Sequence, residues 1–119
     1  MGANSRIRRT KAPNQADAQG SFTTAGAGAV TVNQQDGVKS ITRTNVGEIT
    51  IVFEDFADFL NFCIRSVLFT TDAQRVFVKS NTPGTGTVVL QVVNAGGSTP
   101  ADTTGMRIDF ECDMRSSRL

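Results

Sequence analysis

Two acidic groupings are the chain's best material for chemistry: Glu54, Asp55 and Asp58, and the alternating trio Asp109, Glu111 and Asp113. Paired carboxylates can pass a proton between them or hold a hard cation through oxygen. The partners such work usually recruits are missing. The sequence has no His, so neither a Ser-His-Asp nor a Cys-His nucleophile system can be built, and zinc sites of the usual mixed kind are excluded. Cys63 and Cys112 are too few for a disulfide framework or a four-thiolate metal site. The charged start lacks the apolar stretch of a signal peptide, so both are expected as buried free thiols. Gly26-Ala27-Gly28 and Gly84-Thr85-Gly86 lack the Lys-Ser/Thr ending and following helix of a phosphate loop, and read as turns. The first acidic grouping then reads as solvated charge at a strand end. The second, with Arg107 and Arg115 as countercharge, reads as polar surface or subunit contact. No catalytic, cofactor or metal site is expected, and no small-molecule substrate.

The elements that carry these residues follow from the period of the chain. At 119 residues there is room for one domain, and a formal charge of +1 argues against a bulk nucleic-acid binder. No apolar run reaches the roughly 18–20 residues that span a bilayer. Met106, Ile108, Phe110, Cys112 and Met114 alternate with Arg107, Asp109, Glu111, Asp113 and Arg115, as in a strand with one face in a core and the other in water. Ile49, Ile51 and Phe53 repeat the pattern. Thr87 to Val93 is apolar on both faces, which suits a central strand or an interface. Breakers at Asp36-Gly37, Asn45-Val46-Gly47, Thr82 to Gly86 and Asn94 to Pro100 separate the runs.

Strands are predicted near 21–24, 29–34, 38–44, 48–53, 61–69, 75–80, 86–93 and 106–114. Phe56, Phe59, Leu60 and Cys63 have helical spacing, but the stretch is short and reads as a single turn across the end of the fold. Seven or eight short strands at this spacing predict an all-β, antiparallel β-sandwich, with a jelly roll as one arrangement. Most of the eight Phe are expected in its core.

Met1 to Gly20 reads differently. It holds Arg6, Arg8, Arg9 and Lys11 against Asp17, and its only large apolar residues are Met1 and Ile7. Such a stretch cannot offset its own ordering entropy. We therefore expect an extended basic arm over 1–20 and a sandwich over 21–119. Four charges would give nucleic acid only weak, salt-sensitive binding. The arm is expected to meet protein instead, either an acidic surface or the gap between subunits.

The run Gly37-Val38-Lys39-Ser40-Ile41-Thr42-Arg43, a turn, and then Gly47-Glu48-Ile49-Thr50-Ile51-Val52-Phe53 resembles a pattern in small bacteriophage structural proteins and tail-fibre tips. Ser21-Phe22-Thr23, Gly28 to Val32 and Pro100-Ala101-Asp102 are similar to that group as well. Its usual Tyr is Ile49 here. The resemblance implies a virion structural protein, specifically a capsid decoration or cement protein on the outer surface of the head, assembled in the host cytoplasm. The implied partners are the major capsid protein and further copies of the chain, as a trimer or dimer, with contacts through the arm and through Arg107, Asp109 and Glu111. The alternative is a tail-fibre or spike component whose loops Asn81–Gly86 and Asn94–Asp102 touch a host receptor.

Overall fold

The computed structural model of the chain describes residues 15–54, 59–68, 74–94 and 99–115. Eight strands run through them: β1 (Gln15–Ala25), β2 (Thr31–Asp36), β3 (Val38–Asn45), β4 (Glu48–Phe53), β5 (Phe59–Leu68), β6 (Arg75–Thr82), β7 (Thr87–Val93) and β8 (Thr104–Arg115). They form two antiparallel four-stranded sheets, in the orders β2-β1-β8-β5 and β3-β4-β7-β6. The protein is an all-β sandwich.

Period-two burial builds it. In β4, Ile49, Ile51 and Phe53 point inward while Glu48, Thr50 and Val52 point out. In β8, Met106, Ile108, Phe110 and Cys112 are buried and Arg107 and Glu111 are exposed, as the alternation requires. Val88, Leu90 and Val92 line the inner face of β7, which is a central strand and also buries Gln91 and Val93. Phe110 is the hub between the layers. Its ring stacks on Phe62 at 5.3 Å between centroids and meets Phe53 of the opposite sheet edge-on at 6.4 Å. Phe22, Phe53 and Phe110 are fully buried, whereas Phe77 stands 42% exposed on the edge strand β6.

The strand order does not confirm the jelly roll. A wound ribbon would pair β2 with β7 and β3 with β6; here β2 and β3 are edge strands of different sheets. The expected boundary at Gly20/Ser21 also falls inside an element, because β1 begins at Gln15 and pairs with β8 from Gln15↔Arg115 onward. Residues 15–20 escaped a reading based on large apolar side chains because their inward positions are Ala18 and Gly20. Gly20 must lack a side chain, since a Cβ there would sit 2.6 Å from Phe110 Cζ. The strand expected from residue 61 begins at Phe59. Asp55, Phe56, Asp58 and Phe69 lie outside the described residues, as do Arg6, Arg8, Arg9 and Lys11 of the expected arm.

Candidate functional site

On β8, Arg107, Asp109, Glu111 and Asp113 leave the sheet on the side away from the core. β1 adds Asp17, Gln19 and Ser21 to the same side, because they are paired across the ladder with Asp113, Glu111 and Asp109. β5 completes the surface through a bulge. Its register shifts between Ile64 and Ser66, and the extra residue lets Arg65 approach Glu111 at 3.9 Å while Ser66 sits opposite Asp109. Ser66 Oγ donates to Asp109 Oδ2 at 3.1 Å, and Arg107 Nε donates to Oδ1 at 3.2 Å.

Asp109 is held below the ordinary carboxylate range, first by the Ser21 hydroxyl beside it, with burial opposing, and then by Arg107 and Ser66. The Ser21 hydroxyl lies beside the carboxylate and biases it toward the charged form. Its Oγ is itself buried. A cleft of about 220 Å³ opens here, between Gln19, Ser21 and Gln34 on one side and Arg65, Arg107 and Asp109 on the other.

The three residues predicted as a contact surface thus share one face, and Asp109 is its most elaborately bonded member. Ser21, Gln34, Arg65 and Ser66 were missed. Ser21 and Gln34 would have been found by extending the alternation of β1 back to Gln15 and pairing it with β2, whereas a bulge in β5 leaves no mark in composition. Of the other candidates, Glu54 is exposed, and the side chain of Arg115 lies outside the described residues. Among the described residues no three His, Cys, Asp or Glu gather closely enough to hold a metal ion. Both cysteines are free, but Cys63 is exposed and only Cys112 is buried, which corrects the expectation of two buried thiols. Cys63 faces outward because it neighbours the inward-facing Phe62 and Ile64.

A second constellation lies at the end of the other sheet. Arg43 donates from Nε and Nη2 to the two oxygens of Asp102, at 3.0 and 2.7 Å, and both side chains are 22% exposed. Gly47 N–H donates to the same carboxylate at 2.8 Å. The fork and this amide hold Asp102 below its usual range, with burial opposing. Beneath them the amide of the buried Gln91 donates to Gly47 O at 3.0 Å and Val92 O at 3.2 Å. Gly47 has φ 65°, and a Cβ there would lie 2.5 Å from Val92 O, so only glycine fits. The arrangement fastens the β3–β4 turn to the segment leading into β8. It is a clamp for the frame, with both Asp102 oxygens and the Gln91 amide nitrogen bonded to other parts of the chain.

No protein-family model, curated protein or solved structure matches the chain.

Proposed function

We infer that the chain is a structural protein of a bacteriophage particle, a capsid decoration or cement protein that stabilises the assembled head by adding interface. The observation that carries this reading is where the resembling residues go. Arg43 and Gly47, from the run of strand and turn, and Asp102, from the Pro-Ala-Asp segment, converge on the clamp between the β3–β4 turn and the approach to β8. The shared pattern is spent on a rigid frame, which leaves sheet faces and edges as the working surfaces.

The major capsid protein would be the lattice partner, and copies of the chain would associate with one another. Binding only the assembled lattice opposes its disassembly by mass action. A dimer or trimer multiplies weak contacts through effective concentration. The tail-fibre reading has less behind it, since Asp102 at the end of one expected receptor loop is committed to the clamp.

The reading is tested by heating purified heads prepared with and without the chain. Heads carrying it should release DNA at a higher temperature and lose that advantage when it is stripped. Identical release temperatures would contradict a cementing role.

A further inference from the structure

We propose that the outer face of the β3-β4-β7-β6 sheet is the surface through which two copies of the chain pack, sheet against sheet across a two-fold axis. The proposal rests on the reading that copies associate and deepens it by naming the face they use. Its test uses no particle, so its failure would leave the particle reading standing.

The residue types on this face are the first support. Ladder pairing carries one row of outward positions across all four strands, through Thr42, Thr50, Val89 and Ser80. The next row runs through Ser40, Val52, Thr87 and Thr82. Every one of these positions is Ser, Thr or Val, and none is buried. A surface kept in water usually intersperses Lys, Arg, Glu and Asp. Thr and Val have few rotamers to lose, so ordering this patch against a partner costs little. Phe77 follows the first row along β6, opposite Gln91, and is exposed. An aromatic side chain beside a neutral patch is a favourable anchor for a protein contact.

Charge decides the occupant. On these four strands Glu48 and Lys79 bond one another at 2.5 Å, and Arg43 is held in the clamp. That leaves Lys39, at a bulge of the edge strand β3, and Arg75, at the start of the edge strand β6. The outer face of the other sheet carries Arg65, Arg107, Asp109 and Glu111. Stacking unlike faces would strip water from those charges and offer them methyls and hydroxyls in return. Like on like avoids that penalty, and a second copy supplies the matching neutral surface by symmetry. It also closes on itself, whereas unlike faces would continue into a filament. Four strands about 4.8 Å apart, each about 20–27 Å long, outline roughly 400–500 Å² per copy. Sheets stack at about 10 Å and about −30°, and a contact of this size lies at the small end of specific interfaces. The dimer is therefore weak, which suits attachment through many contacts at once.

Sedimentation equilibrium and amide chemical shifts of the full-length chain test this. The natural chain should dimerise with a Kd of roughly 100 μM. Raising salt from about 0.1 to about 1 M should leave that affinity unchanged or strengthen it, because the marginal charges Lys39 and Arg75 have the same sign. Shifts that change on dilution should fall on β3, β4, β6 and β7. Thr50→Lys with Val89→Lys, at the centre of the face, should weaken dimerisation about tenfold or more. Cys63→Lys, which puts the same charge on the outer face of the other sheet, should leave it unchanged. Circular dichroism confirms that each variant is folded. A natural chain still monomeric at about 1 mM, or a dimer that salt dissolves, would overturn the proposal. So would shifts confined to the other sheet, full affinity in the double variant, or equal weakening by Cys63→Lys.

Discussion

A thiol reacts through its thiolate, and the two cysteines differ in exposure. Cys63 is exposed on β5, whereas Cys112 is buried and its thiol is pushed up to about 12, first by burial and then by the charges of Asp113 and Asp17. Labelling the native protein at about pH 8 should therefore modify one thiol rapidly and the second only on unfolding. Two fast equivalents would contradict the register of β8. Asp102 gives a second test at this scale. Its folded pKa is depressed, so its stabilisation is present above the unfolded value of about 4 and is lost as pH falls through the lower folded one. Asp102→Asn should flatten the fall of the urea midpoint below about pH 5, and the two curves should converge in acid. Asp102→Ala should cost more than Asp102→Asn, because it strands the Gly47 N–H, a loss of about 1–3 kcal/mol. Parallel pH curves would contradict the clamp. Neither partnership was legible in the sequence, since Arg43 and Asp102 are brought together only by tertiary structure. The residues of the clamp were visible as a pattern, but not as a contact.

At the scale of elements, alternation of large apolar and polar residues was enough to place β4, β7 and β8 nearly to their ends. It failed at β1, where the inward positions are small. Ala18 and Gly20 carry little apolar surface to mark them, yet both are inward, and at Gly20 the Phe110 ring fills the space a side chain would need. Truncation separates the two readings of this segment. Removing Met1–Asn14 should leave a folded protein with unchanged near- and far-ultraviolet dichroism. Removing Met1–Gly20 takes about half of β1 from between β2 and β8 and should abolish cooperative unfolding. Equal stability of the two truncations would return residues 15–20 to the arm. Gly20→Ala should cost about 1–3 kcal/mol through overpacking against a buried ring. Phe110→Ala, which empties the contact between the sheets, should cost about 3–5 kcal/mol in urea melts. Either variant melting with the natural protein would contradict the packing around Phe110.

For the whole molecule, composition already argued for binding over catalysis, and the all-β sandwich was legible from strand spacing. The strand order was not, because period-two patterns say which face is buried but not which strand lies beside it. The outer face of the β2-β1-β8-β5 sheet carries charge that the core does not use, and the proposed role in assembly would draw on outward faces of this kind. The most direct measurement of that role is a cryo-electron-microscopy map of phage heads saturated with the chain and then washed. The account predicts density for the sandwich at symmetry-related sites on the outer shell, at a fixed ratio to the major capsid protein. Bare shells, or density confined to the tail, would contradict it.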